Sequence, residues 1–400
     1  MPPVRVEPSA RSREIKYAVR DIVLLANQAK ERGKELLYLN IGDPLEYDFE
    51  TPPHLIEAVE RAMRNQRNGY SPSSGTAEAL EAIRGLAERR GFREVQEVFV
   101  TSGGSEAIEL ALAALVDPGD NVLVPCPGYP LYTAVLPKLS AEARPYFLDE
   151  ERDWQPDLAD LEAKIDHRTR GLVLINPNNP TGAVYTREVL LEILELARRY
   201  RLVVFADEIY DLLVYGKERK HVSIATLCDD VVVVTFNGLS KSYLAPGWRI
   251  GWGIISGDRV AAAEYAEAVL KFTRARLCAS HPMQAAIRPA LEGDQSHLEK
   301  VRNKLYWRRN LTVQMLNSID GIHCVLPQAA FYAFPTIELG IDDEAFVHRL
   351  IMTSGVVVVP GSGFGQRPGS HHFRVVFLPE EHILQRAFER LAEVAATFRG

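Results

Sequence analysis

Cysteine is scarce in this chain, with 4 among 400 residues. Cys126, Cys228, Cys278 and Cys324 lie far apart and form no Cys-x-x-Cys pair. That spacing argues against a disulfide framework and a zinc site, and fits a reducing compartment. Long apolar runs are also missing. No segment reaches the roughly 18 consecutive apolar residues of a membrane-spanning helix, and residues 1–10 have no apolar leader core. A cytoplasmic protein without membrane contact is expected. There is no basic excess: 46 Lys and Arg against 53 Asp and Glu give a formal net charge of -7. The two signs are interleaved, which excludes the basic face of a nucleic-acid binder. Repeats, low-complexity tracts and disordered linkers are absent. His371 and His372 are adjacent and would diverge on a strand, so no metal site is expected.

The chain does hold a large apolar inventory, 46% of its residues, enough for two domains at the usual ~100–200 residues each. Buried strands are expected at 98–101, 121–124, 172–175, 202–205 and 231–234, separated by helical stretches, with a further apolar segment at 248–255. Polar residues gather just after these strands. The pattern indicates an α/β fold whose mainly parallel sheet is covered on both faces. Residues 15, 19, 22, 23 and 26 would share one face of an N-terminal helix. Thr51 reads as the cap of a helix running to about residue 65. Beyond residue 296 a long helix, short strands at 321–334, 356–359 and 372–377, and a closing helix describe a smaller α+β unit.

Lys241 and Arg249 lie eight residues apart in the loop Asn237-Gly238-Leu239-Ser240-Lys241 through Pro246-Gly247-Trp248-Arg249-Ile250-Gly251, near a strand end, where open α/β sheets bind ligands. Other strand ends carry Gly103-Gly104-Ser105, Tyr129, Asn179, and Asp207 with Tyr210; Arg374 comes late in the chain. The glycine turn at 103–104 enters a helix, which makes an anion site from free N–H groups and the helix dipole. It is neither a Walker loop nor a dinucleotide fingerprint, and the glycine-rich 360–365 stretch has no helix pattern after it. Together these residues supply what pyridoxal phosphate chemistry needs. A lysine can form the Schiff base, and an aspartate can keep the pyridine nitrogen protonated. Asn179 and Tyr210 could hold the ring hydroxyl. One arginine can neutralise phosphate while another takes a carboxylate in a bidentate fork. Tyr132, Trp248 and Trp252 read as packing residues.

The motifs at 176–182, Asp207-Glu208-Ile209-Tyr210, and Ser240-Lys241 followed by Pro246-Gly247-Trp248-Arg249-Ile250-Gly251 resemble the class I/II aminotransferases of the fold-type I pyridoxal-phosphate enzymes, over nearly the whole chain. The resemblance implies a large cofactor domain at 51–295. It also implies a small α+β domain at 296–400 that is joined by an N-terminal arm, 1–50. It implies Lys241 as Schiff-base lysine and proton shuttle, Asp207 at the pyridine nitrogen, and Tyr210 and Asn179 at the ring oxygen. Tyr129 would stack on the ring, while Gly103, Gly104, Ser105, Ser240 and Arg249 would meet the phosphate. Arg374 would bind the substrate α-carboxylate, near Gly42 and Asn179. A homodimer is implied, with Tyr70 reaching the neighbouring subunit's phosphate. Many members have serine where this chain has Gly238, so that phosphate contact must be absent or replaced, with Ser102 and Ser105 as candidates.

The stretches 16–21, 39–44, 237–241 and 360–365 are similar to the alanine aminotransferase branch. That branch implies a ping-pong exchange, L-alanine and 2-oxoglutarate giving pyruvate and L-glutamate. Arg20, with Tyr17 beside it, is then the candidate for the distal carboxylate, and Arg276 a second. Aspartate or aromatic specificity, a lyase on the same fold and a non-catalytic pyridoxal-phosphate-binding regulator are the alternatives.

Overall fold

The structure, a computed structural model, describes residues 5–15, 18–216 and 220–398. At its centre is an eight-stranded sheet: β1 (Val95–Thr101), β2 (Asn121–Cys126), β3 (Glu142–Asp149), β4 (Gln155–Pro156), β5 (Thr169–Ile175), β6 (Val203–Asp207), β7 (Val233–Gly238) and β8 (Gly251–Ser256). The strand order is β1-β8-β7-β6-β5-β2-β3-β4. From β7 through β6, β5 and β2 to β3 the pairing is parallel. β8 runs antiparallel to β1 and β7, and β4 antiparallel to β3.

Successive strand residues point to opposite faces, and both faces are apolar here. Val98, Val100, Leu123, Leu172, Leu174, Val204 and Val233 pack on one side against the Ala77–Arg90 and Arg187–Tyr200 helices. Phe99, Val122, Val124, Val173, Phe205, Val234 and Phe236 pack on the other, against the Gly104–Ala113, Leu131–Lys138 and Arg259–Arg276 helices. A sheet buried on both faces leaves its strand ends as the place where polar groups can meet a ligand.

A separate core joins the N-terminal segment to the C-terminal third. It contains Ile22, Ala26, Leu37 and Leu39 with Leu305, Val347, Val357, Phe373 and Leu391. Leu37–Tyr38 pairs in parallel with Val356–Val357, and Tyr332–Ala333 pairs antiparallel with Phe373–Val376. Arg308, buried on the Ser296–Asn317 helix, holds Asp48 in a bidentate pair at 2.8 and 2.9 Å. This fork fixes the segment leading to the sheet.

Several local expectations need correction. The face expected at residues 15 to 26 is interrupted: Ile15 and Val23 are exposed, and Ile22, Ala26 and Ala29 form the buried stripe of the Ala18–Glu31 helix. Thr51 does not cap the Pro53–Arg64 helix; its hydroxyl donates to the Leu244 carbonyl in the lysine loop. β3 and β4 are strands beyond the five expected. Among the described residues no helix is long and apolar enough to cross a membrane. None of their His, Cys, Asp or Glu groups could hold a metal ion, and the four cysteines are free.

Candidate active site

One cavity of about 330 Å³ opens at the ends of the parallel strands, and Gly42, Gly104, Ser105, Tyr129, Asn179, Asp207, Tyr210, Ser240, Lys241, Arg249 and Arg374 all line it. Lys241 is half-buried, and its Nζ donates to the Gly42 carbonyl at 2.7 Å. The ammonium also stands 5.5 Å from the centre of the Phe331 ring. Asp207 is the last residue of β6 and is 6% exposed. Its carboxylate accepts from the Ile209 N–H at 3.3 Å and the Tyr132 hydroxyl at 3.2 Å. Burial pushes the carboxyl up to about 6, although these bonds and the Lys241 charge pull the other way. Tyr132 is thus more than a packing residue, since it is aimed at Asp207. Trp252 is buried in the core as expected.

On the next turn, Tyr210 is held well above its ordinary pKa, chiefly by burial, and so stays a neutral phenol. Its hydroxyl lies 3.0 Å from that of Tyr332. Tyr332 lines the same cavity, yet it had no signal in the sequence beyond a short strand. Arg374 is buried and held on several sides. Its Nη1 donates to Asn179 Oδ1 at 3.1 Å and its Nη2 to the Asn40 carbonyl at 2.8 Å. The guanidinium also lies between the Tyr332 and Phe364 rings, 4.5 and 4.4 Å from their centres. The bond to Asn179 Oδ1 leaves the amide Nδ2 of that residue as a donor. A guanidinium locked on this many sides is pre-organised for a planar anion.

At the other end, the Gly104–Ala113 helix begins without a side-chain cap, and Gly103 takes φ 86°, a conformation that favours glycine. A Cβ on Gly103 would come within 2.5 Å of Arg249 Nη2, and one on Gly251 would run into the Gly104 amide. Free N–H groups, Ser105, Ser240 and Arg249 therefore surround a cradle kept open by Gly103 and Gly251. A Cβ on Gly238 would lie 2.7 Å from the Ile250 carbonyl. This backbone has no room for the serine expected there from the resemblance. Ser102 has its N–H bonded to Glu106 at 2.7 Å, whereas Ser105 faces the cavity.

Some expected residues lie elsewhere. Tyr70 is 81% exposed and outside the cavity. Arg276, the second candidate for a distal carboxylate, is absent from the lining; its Nη2 donates to the Val100 carbonyl at 2.7 Å, and its Nε lies 3.5 Å from Glu106. These contacts make it a tie for the strand and the adjoining loop. Tyr17 and the Arg20 side chain lie outside the described residues.

The family model for aminotransferase class I and II matches residues 34–391. A glutamate-pyruvate aminotransferase of Escherichia coli is 40% identical over 396 residues, covering 97% of each chain. An alanine aminotransferase of Mycobacterium tuberculosis is 39% identical over 401 residues, covering 98% of this chain and 93% of that one. Among solved structures, an alanine aminotransferase from Pyrococcus furiosus matches with a TM-score of 0.95 and 40% identity, covering 98% of this chain and all (100%) of the other.

Proposed function

The chain belongs to the class I and II aminotransferases, and from that premise we propose that it exchanges the amino group of L-alanine with 2-oxoglutarate, giving pyruvate and L-glutamate. Its cofactor is pyridoxal 5′-phosphate. The observation that carries the reading is the convergence of a half-buried lysine, a buried carboxylate and a buried arginine on one small cavity. At about 330 Å³, the cavity lies at the small end of ligand sites, and its lining includes both the residues read for the cofactor and Arg374.

The residues fit the cofactor. An uncapped helix N-terminus and Arg249 suit a phosphate, and a Cβ on Gly103 or Gly251 would crowd Arg249 or the Gly104 amide beside it. Asp207 is buried with no guanidinium or ammonium bonded to it among the described residues, so a protonated ring nitrogen would complete it. Bound, the cofactor supplies an electron sink that lets a proton leave the substrate Cα. In this reading Lys241 would hold the cofactor and serve as the base that takes up and returns the proton lost from the substrate Cα. Asp207 keeps the ring nitrogen protonated, with Tyr132 fixing the carboxylate. Tyr210 and Asn179 would donate to the ring oxygen, Tyr129 would lie against the ring, and Arg374 would take the α-carboxylate beside Gly42.

The division we favour is an arm at 1–50, a cofactor domain at 51–295 and a small domain at 296–400. We also favour a homodimer in which Tyr70 serves the neighbouring site, and a cytoplasmic setting in keeping with the free thiols. Arg20, with Tyr17, is assigned to the distal carboxylate of 2-oxoglutarate.

The test is product analysis of the purified holoprotein with L-alanine and 2-oxoglutarate. Pyruvate and glutamate should form in equal amounts; release of ammonia or carbon dioxide instead would mark a lyase, and no turnover with any amino acid a non-catalytic binder. In the same assay Arg20→Ala should raise the apparent KM for 2-oxoglutarate far more than that for pyruvate. Equal changes would remove Arg20 from the site.

A further inference from the structure

Tyr332 lies in the Ala330-Phe331-Tyr332-Ala333-Phe334 segment, where Ala330 turns the chain at φ 61°. It pairs across its strand with Val376, two residues from Arg374. The side chain is 3% exposed and meets three parts of the site at once. Its ring lies under the Arg374 guanidinium, 4.5 Å away. It meets the Tyr210 ring edge-on, with centroids 5.8 Å apart at 87°. Its hydroxyl is 3.0 Å from the Tyr210 hydroxyl, in the space where a Cβ on Gly42 would collide with it.

Two phenols joined by one hydrogen bond have a donor and an acceptor, and the acceptor keeps its own proton for a third group. A cation over an aromatic face stabilises the electron-rich form of that ring and so makes its hydroxyl the better donor. Arg374 stands over Tyr332, which assigns Tyr332 as donor and Tyr210 as acceptor. We propose that Tyr332 is a positioning residue. Its hydroxyl donates to Tyr210, so that the Tyr210 proton points into the cavity toward the cofactor's ring oxygen. Its ring seats Arg374, so one side chain couples the carboxylate-binding arginine to that oxygen. The inference rests on the reading of the site given above.

Tyr332→Phe keeps the ring under Arg374 and removes only the hydroxyl. The readout is the pH at which the visible band of the lysine-bound cofactor titrates. A weaker donor at the ring oxygen favours the protonated form, so the midpoint should rise by about 1 pH unit, the size of one hydrogen bond. Tyr210→Phe should shift it in the same direction, and the Tyr210→Phe/Tyr332→Phe double variant no further than Tyr210→Phe alone. KM for L-alanine should stay within about 3-fold in Tyr332→Phe, because the seat of Arg374 is intact. Gly42→Ala, which crowds the hydroxyl out of place, should raise the midpoint too; it carries the test if Tyr332→Phe does not fold. An unchanged midpoint, or shifts that add in the double variant, would overturn the coupling. Failure of wild-type apoprotein to develop a visible band with pyridoxal phosphate would instead overturn the reading of the site itself.

Discussion

Burial of Asp207 pushes its carboxyl from 3.8 up to about 6, so the folded apoprotein holds a proton at a pH where the unfolded chain has released it. A raised carboxyl contributes stability that is complete below about pH 4 and is lost as the pH climbs through about 6. The change amounts to about 3 kcal/mol for a shift near two units. Asp207→Asn has no such proton to lose. Relative to wild type, the apoprotein variant should therefore gain on the order of 3 kcal/mol in urea unfolding between about pH 4 and pH 7. A difference that stays flat across that range would contradict the assignment. With pyridoxal phosphate bound the sign should reverse, since a protonated ring nitrogen favours the ionised carboxylate and asparagine cannot supply it. At this scale the legible residues are those just past strands: Lys241, Asp207, Asn179 and the glycines at 103 and 104. Tyr132 and Tyr332 are not legible. Their partners are 75 and 122 residues away, and each reads locally as an ordinary apolar-phase aromatic.

Among the elements, the phosphate cradle depends on how closely the start of β8 approaches the Gly104–Ala113 helix. Gly251 begins β8, and a Cβ there would strike backbone, the Gly104 amide and the Gly103 carbonyl carbon. Backbone cannot swing aside as a flexible side chain does. Gly251→Ala should weaken pyridoxal phosphate binding by at least about 10-fold and destabilise the apoprotein by about 1–3 kcal/mol. Equilibrium titration of the apoprotein measures the first. Wild-type affinity in the variant would show that the helix N-terminus does not hold the phosphate. The buried strands of the sheet are readable because both faces are apolar and the segments stand between turns. β3 is not, because it lies near the sheet edge and carries Glu142, Arg144 and Pro145 among half-exposed positions. The Thr51 cap fails for a tertiary reason: its hydroxyl is taken by the Leu244 carbonyl, 193 residues away.

For the whole molecule, the exposed apolar side chains bear on assembly. Ile56 and Met63 on the Pro53–Arg64 helix, Tyr70 in the following loop and Leu277 are 48, 39, 81 and 49% exposed. The Tyr70 loop is itself well anchored: His281 Nδ1 meets the Gly69 carbonyl at 2.9 Å, and Gln284 Nε2 donates to Ser71 at 3.0 Å. A rigid loop presenting a bare tyrosine fits a role in a partner's site. In the proposed homodimer, Tyr70→Ala and Lys241→Ala should each be impaired, Lys241→Ala by about 10²–10⁴-fold. Subunits mixed and refolded together should recover activity in the hybrid dimers, where one site carries both native residues. No recovery would place Tyr70 outside the neighbouring site.

The central claim is that the site exchanges amino groups with alanine and glutamate. Single-turnover mixing of the holoprotein with L-alanine, L-glutamate, L-aspartate and an aromatic amino acid, each alone, tests it most directly. The visible band of the lysine-bound cofactor should decay rapidly with alanine and glutamate, and at least about 10-fold more slowly with the other two. Faster decay with aspartate or the aromatic amino acid would contradict the alanine assignment.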